Sequence, residues 1–345
     1  MNGEPSISWT AIGIVLLAGA ALLAALLTVL LRPLLMRYAM ARPNARSSHK
    51  APTPQGGGIA VLAAVLGISF IGLYFLPSPP NAALRFPAVS AAIVLIAAVG
   101  VIADIHPENF VSRLLLQAVA VAAVVAALPA ELRVAPILPL AIERVGLVIG
   151  GLWFVNLVNF MDGLDWMTVA EVVPVSGALA AVGLLGVLAP LATVVSLALC
   201  GAMLGFAYFN RPVAKLFLGD VGSLPIGLIV GWLLVLLAGH GYRAAAVLLP
   251  LYYLADSSIT LGRRAFKGEK IWQAHRTHIY QRATDRGLSV LEVVTRVFAV
   301  NVALAALALA TVLAPSYRTD AAAVGAGCVL VAGLLWSLSR GSRPA

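Results

Sequence analysis

The chain has 345 residues, of which 61% are hydrophobic and 11% charged, with a mean hydropathy of +0.99 and a formal net charge of +9. A soluble domain carries roughly 25% charged residues, so a water-soluble globular enzyme is excluded. The positive balance reads as loop bias and attraction to anionic lipid and phosphorylated substrates, with no nucleic-acid partner expected.

Apolar runs long enough to cross about 30 Å of hydrocarbon recur along the whole chain. The first, from Ile7 to Leu35, is too long for the apolar region of a signal peptide and precedes no small-residue cleavage site, which predicts a retained helix. About eleven spans follow in order: 8–36, 57–76, 86–103, 112–129, 143–160, 168–188, 190–209, 221–238, 243–262, 291–314 and 320–338. Asn156 and Asn159 interrupt the end of the fifth, and Pro190 leaves the division of 168–209 open. A lipid-embedded backbone must satisfy its own hydrogen bonds, and the alternation of barrel strands is absent, so all spans are expected to be helical. Residues 1–345 read as a single polytopic all-α integral membrane domain without internal repeat. Cys200 and Cys328 lie in apolar runs, form no metal or redox motif, and are expected to be buried thiols.

Basic residues set the orientation. Outside the helix residue Arg296, one side holds only Arg85, Arg133, Arg144, Arg243 and Arg318, and the other holds seventeen of the 23 lysines and arginines. The richer side, with loops near 37–58, 104–112, 159–167, 210–223 and 263–290, is expected to be cytoplasmic, with the N-terminus outside and the C-terminus inside. Asp104, Asp162, Asp165 and Asp220 all fall on that side, where four carboxylates beside basic loops suit a metal and phosphates.

Five motifs carry the chemistry. Arg42 to Gly58 joins two Pro-flanked turns to three glycines at a helix start, with Arg46, His49 and Lys50 adding positive charge; it reads as an anion-binding loop or as a basic loop that sets topology. Gly100 to Asp104, followed by Arg113 and Gln117, places a carboxylate at the membrane boundary, where it has a role or sits in the headgroup region. Asn156, Asn159, Asp162 and Asp165 recur at spacings of three, which on a helix puts neighbours on one face and supplies oxygens suited to Mg²⁺. Phe217 to Ser223 sets Asp220 between glycines that let the backbone approach a ligand. His275 to Arg282, in the longest basic loop, offers donors for a pyrophosphate. Asp256, inside the ninth span, is open between structural pairing and function, while Trp166, Trp232 and Trp272 read as interface anchors.

In this order the five motifs resemble the polyprenyl-phosphate N-acetylhexosamine-1-phosphate transferases, which include the phospho-MurNAc-pentapeptide translocase of peptidoglycan synthesis and the transferases that initiate O-antigen and exopolysaccharide. The resemblance runs from Arg42 to Arg282 and is closest to the O-antigen and exopolysaccharide branch. It implies that Asp220 binds Mg²⁺ (or Mn²⁺) with Asn159 as second ligand. It implies that Phe217 stacks on uracil, that Asp165 hydrogen-bonds the nucleoside, and that Asp162 shares their pocket. It implies further that His275, Arg276 and His278 embrace the sugar and diphosphate, and that His49 and Lys50 lie near the nucleotide. Two positions depart from the family pattern: Ala103 stands where a first aspartate precedes Asp104, and Trp166 stands where glycine is common.

The expected reaction is attack by undecaprenyl phosphate on the β-phosphorus of a UDP-sugar, releasing UMP at the cytoplasmic face of a bacterial inner membrane. Asp104 is then the catalytic carboxylate that carries the work of the missing pair, and a homodimer is an arrangement open to the chain. A catalytically silent homologue and a transporter of a phosphorylated solute are the rivals. A transporter would gather its polar groups near the midplane of repeated halves, which this chain does not do. For the topology, Ser289→Cys is expected to resist an impermeant thiol reagent in intact cells and Ser78→Cys to react with it, in a Cys-free background; the reverse pattern overturns the orientation.

Overall fold

An unpaired backbone N–H or C=O in hydrocarbon costs several kcal/mol, so apolar runs of this length close their hydrogen bonds along the segment as helices. A computed structural model describes residues 9–41, 51–75, 80–105, 109–270 and 275–340, the side chains of 80–84 excepted. The elements are α1 (Trp9–Tyr38), β1 (Met40–Ala41), β2 (Thr53–Pro54), α2 (Gly58–Phe75), α3 (Pro80–Ile105), α4 (Phe110–Ala126), α5 (Leu140–Met161), α6 (Met167–Leu184) and α7 (Pro190–Asn210). They continue with α8 (Asp220–Gly239), α9 (Arg243–Leu248), α10 (Leu251–Phe266), α11 (Ile279–Asp285), α12 (Val290–Leu313) and α13 (Tyr317–Arg340). Strands β1 and β2 form one antiparallel rung pair, Met40 opposite Pro54 and Ala41 opposite Thr53. The protein is an all-α multi-pass membrane protein.

Nine helices among the described residues are long and apolar enough to cross a membrane: α1, α2, α3 from Arg85, α5, α6, α7, α8, α12 and α13. Two of the eleven expected spans differ. Helix α4 has 17 residues, short of that length. The run 243–262 is two helices, α9 and α10, because Pro250 at the junction has no N–H to give to the preceding turn.

Helices α6, α7 and α8 form the interior: α1, α2 and α6 pack on α7, α3 and α5 on α8, and α12 on α6. The outer helices turn large apolar side chains outward, such as Leu22, Leu26 and Leu30 on α1, which only a lipid surround accommodates. Inside, Asn301 of α12 donates through Nδ2 to Glu171 Oε2 (2.7 Å) and to the Ala170 carbonyl (3.0 Å), tying α12 to α6 with hydrogen bonds that have no water competing for them. Cys200 is buried, but Cys328 is exposed on α13, contrary to expectation, because the apolar run it sits in faces outward there. Trp232, within α8, is partly buried and packs against the core, and Trp272 lies outside the described residues.

The helix ends that carry the motifs are brought together by backbone contact. A Cβ at Gly58 would lie 2.1 Å from the Gly222 Cα, so α2 and α8 touch main chain to main chain. A Cβ at Gly100 would lie 2.5 Å from the Asp220 carbonyl, so α3 meets the start of α8 in the same way. Gly58→Ala is expected to destabilise the protein by about 1–3 kcal/mol, as overpacking of a site that cannot yield does. Gly262→Ala, where the added carbon meets nothing, is expected to be neutral or better. Thermal unfolding of both variants in detergent checks this, and equal melting of Gly58→Ala and wild type contradicts the contact.

Candidate active site

The site is built on the N-terminus of α8. The first N–H groups of any helix lack intrahelical partners, and the residue before α8 is Gly219, which has no side chain to cap them. The partner comes from another helix. Asp104, at the end of α3, accepts from the Asp220 N–H through Oδ1 (3.0 Å) and from the Val221 N–H through Oδ2 (3.1 Å). Gly219 has φ +78°, and a Cβ there would lie 2.6 Å from Asp104 Oδ2. Only glycine leaves room for that carboxylate. The negative charge also sits at the positive end of the α8 dipole.

So fixed, Asp220 turns its carboxylate toward Arg113 of α4 and Asn159 of α5. The Arg113 guanidinium lies 3.1 Å from Oδ2, and Asn159 Nδ2 donates to Oδ1 (2.8 Å) and to Ser223 Oγ (2.9 Å). The Asp220 side chain keeps 30% of its surface exposed, so a ligand can still reach it. Residues 54–58 lie alongside: the Phe217 N–H donates to the Pro54 carbonyl, Gly57 and Gly58 donate to the carbonyls of Phe217 and Leu218, all at 2.9 Å, and Gln55 Nε2 donates to the Asp104 carbonyl (2.7 Å). Phe217 itself is half-buried.

The expected single face of Asn156, Asn159, Asp162 and Asp165 does not form. Helix α5 ends at Met161, so the period of the helix stops before the two aspartates. Asn156 turns inward to Gln117 Oε1 (2.8 Å) on α4. Asp162 accepts from the Thr168 hydroxyl. Asp165 is buried and accepts the Ala214 N–H (2.9 Å), so one oxygen of the residue expected on the nucleoside holds the α7–α8 loop. Trp166 stands at the N-cap of α6 and is half-buried. It sits in the left-handed region (φ 62°), a conformation that costs roughly 1–2 kcal/mol for a residue with a Cβ. Its N–H donates to Asn210 Oδ1 (2.8 Å) and its indole Nε1–H to the Ala207 carbonyl (2.6 Å), two bonds that offset the strain. The left-handed turn is the physical reason glycine suits this position, and tryptophan holds it by bonding to α7.

Of the basic-loop residues, His275 and Arg276 are half-buried, but His278 is only 2% exposed. The ring of His278 points to Asp256 of α10 (Nδ1 to Oδ1, 3.5 Å) and stacks on His275 (centroids 4.9 Å apart), so the structure turns it inward, away from the place the resemblance implies. Arg276 folds back on α11 to Asp285 (3.2 Å) and Thr284 (3.3 Å). His49 and Lys50 lie outside the described residues.

Among the described residues no group of three His, Cys, Asp or Glu side chains is placed to hold a metal ion by itself. Mg²⁺ does not need one: it keeps waters and takes one or two carboxylates with substrate phosphates. Asp220 fits that role, since it is partly exposed, feels Asp104 and Asp162 as like charges, and is balanced only on one oxygen by Arg113. Asn159 faces Asp220 with its nitrogen, so it serves as a donor to the carboxylate and must turn its amide over to offer oxygen to a cation. Arg113 was visible in the sequence only as a basic residue nine positions beyond Asp104; its pairing depends on the packing of α4 against α3 and on the start of α8.

Burial, with Asp220 and Asp165 as like charges, pushes Asp162 up from 3.8 to about 7, against the Thr168 hydrogen bond. An acid raised in the folded state binds its proton more tightly there than when unfolded. Its contribution to stability is complete below the ordinary carboxylate range and is lost as pH rises from about 4 through about 7. In metal-free buffer the melting temperature of Asp162→Asn is therefore expected to fall less over that window than that of wild type; parallel profiles contradict the assignment.

The family model described as glycosyl transferase family 4 matches residues 86–238. A decaprenyl-phosphate N-acetylglucosaminephosphotransferase of Mycobacterium tuberculosis is 29% identical over 333 residues, covering 86% of this chain and 81% of the relative. A probable undecaprenyl-phosphate N-acetylglucosaminyl 1-phosphate transferase of Bacillus subtilis is 27% identical, covering 78% of each. A phospho-N-acetylmuramoyl-pentapeptide-transferase of Rhodopseudomonas palustris is 32% identical over 175 residues, 45% of this chain and 47% of the relative. The matched segment holds Asp104, Arg113, Asn159 and Asp220, and over that segment this chain is similar to glycosyl transferase family 4, the family that its motifs resemble.

Proposed function

We propose that this chain transfers a sugar-1-phosphate, an N-acetylhexosamine-1-phosphate, from a UDP-sugar to undecaprenyl phosphate, at the cytoplasmic face of a bacterial inner membrane, and so initiates a lipid-linked envelope glycan. The observation that carries this reading is the meeting of Asp104, Asp220, Arg113 and Asn159 at one end of the bundle, in a chain whose relatives are named for phosphotransfer to polyprenyl phosphates.

Phosphoryl transfer asks for positioning and charge neutralisation more than for covalent chemistry. A lipid phosphate oxygen forms the new bond to the β-phosphorus, and the bond from that phosphorus to the bridging oxygen breaks as UMP leaves. Both reactants are anions, and two unit charges 4 Å apart repel by about 4 kcal/mol at an effective dielectric of 20. Arg113 and Arg276 offset part of this repulsion. Mg²⁺ or Mn²⁺, held by Asp220 with Asn159 beside it, would supply the rest of the charge stabilisation. Asp104 keeps Asp220 aimed at the pocket. The lipid tail lies in the apolar groove of Phe110, Leu114, Leu152, Trp153, Phe160 and Leu261, whose polar residue is Asn156. The sequence lacks the clustered histidines of the peptidoglycan branch, which favours a UDP-HexNAc over UDP-MurNAc-pentapeptide as donor.

A second reading, a silent homologue, is favoured by one observation. With Ala103 in place of the family's first aspartate, the remaining Asp104 has each oxygen already engaged by a main-chain N–H, which ties the carboxylate to a structural task. A phosphate monoester, with its second pKa near 6, is mostly dianionic at pH 7 and asks little of a base. The transfer reading therefore survives the substitution.

Turnover with Mg²⁺, undecaprenyl phosphate and a panel of UDP-sugars decides between them. EDTA is expected to stop UMP release and Mg²⁺ or Mn²⁺ to restore it, with Asp220→Asn slower by on the order of 10²-fold or more. Full activity without metal excludes this mechanism. A wild type that is inert on every donor and gains turnover only as Ala103→Asp establishes the silent homologue.

A further inference from the structure

Asp256 lies apart from the cluster around Asp220 and is fully buried on α10. A buried carboxylate is tolerable only where donors replace its water. Two are hydroxyls of its own helix, Thr260 (3.2 Å) and Tyr252 (3.4 Å). The others belong to one short segment: the N–H of Ile279 (3.0 Å) and the N–H of Tyr280 (3.1 Å), with the His278 ring beside them at 3.5 Å, within ion-pair distance but without a hydrogen bond.

That segment joins the basic loop to the turn after α5. The His278 ring stacks with His275 at 4.9 Å and with Tyr280 at 5.8 Å, near-parallel in both cases. The Tyr280 hydroxyl donates to the Phe160 carbonyl (3.1 Å), at the turn that carries Asp162. A Cβ at Gly163 would lie 2.2 Å from that hydroxyl, so the fit between α11 and the turn has no slack. Arg276, just before α11, is held by Asp285 and Thr284, while its buried Nε finds no acceptor among the described residues. A buried guanidinium N–H without an acceptor is a place for an anionic oxygen.

We propose that Asp256 is a positioning residue for donor binding: it clamps His278 and the first turn of α11 so that His275 and Arg276 meet the diphosphate of the UDP-sugar, while His278 touches no substrate. The inference rests on the sugar-phosphate transfer reading for the identity of the ligand, and on the geometry alone for the clamp.

The test uses the purified full chain with Mg²⁺ and UDP as probe. UDP affinity and amide hydrogen exchange of residues 275–285 are measured for wild type, Asp256→Asn, His278→Asn and His278→Ala, with KM and kcat for UDP-GlcNAc taken alongside. Asp256→Asn is expected to speed exchange in α11 and to weaken UDP binding by about tenfold or more, the scale of a misplaced binding group. Where UDP-GlcNAc is turned over, its KM should rise by a similar factor and kcat should change by less than about threefold. His278→Asn keeps a polar side chain packed beside Asp256 and should stay near wild type in UDP affinity, whereas His278→Ala, which removes the packing, should resemble Asp256→Asn. Unchanged exchange and affinity in Asp256→Asn overturn the clamp. Equal losses in His278→Asn and His278→Ala also overturn it, because they put His278 on the ligand; this pair decides the matter if Asp256→Asn does not fold. A wild type that binds UDP but turns over no donor removes the transfer reading and leaves the clamp to be judged on exchange and affinity. A wild type that binds no UDP overturns both.

Discussion

The Asp104 carboxylate on the first two N–H groups of α8 is the contact on which the rest of the site depends. A helix that begins with glycine cannot cap itself, and in a membrane protein an uncapped start near hydrocarbon leaves donors that water reaches poorly. Placing the cap on α3 solves this and does more. It fixes the rotation of α8, and with it the direction of Asp220, to the end of a different helix. Arg113 and Asn159 then converge on Asp220 from α4 and α5, so three helices hold one carboxylate that stays partly exposed. Aspartate in the motif of α3 has therefore a mechanical task beyond any chemical one, and it retains that task with alanine beside it.

The same logic, a polar group held by a neighbouring element instead of its own, repeats around the pocket. Trp166 bears a backbone conformation suited to glycine and is kept there by bonds to Asn210 and Ala207 on α7. Asp165 reaches across to Ala214, and Asn210 Nδ2 donates to the Leu216 carbonyl (3.1 Å), so the α5–α6 turn and the α7–α8 loop brace each other. Beneath them α2 meets α8 at two glycines. A site for large anions needs such rigidity, because carboxylates that gather without strong bracing move apart to relieve their repulsion.

What the sequence by itself determined was the class of the protein and the end of the bundle at which its polar side chains gather. Hydrocarbon thickness sets span length, so apolar runs were legible as helices, with exceptions where Pro250 splits a run and where α4 falls short. Charge bias and the placement of Asp104, Asp162, Asp165 and Asp220 at helix ends marked one end of the bundle as the candidate site, and five motifs in order pointed to the family whose model matches residues 86–238. Tertiary structure alone decided what each residue does there. Spacings of three lost their meaning where α5 stops at Met161, so Asn156, Asp162 and Asp165 part company and only Asn159 reaches Asp220. His278, which reads as a ligand in a basic loop, turns inward because Asp256, far from it in sequence, lies buried on the facing helix. A residue's type and its local period depend on near neighbours along the chain, whereas the partner of a polar side chain depends on which distant helix ends pack beside it. That packing is fixed by contacts such as Gly58 on Gly222, which no local pattern reveals.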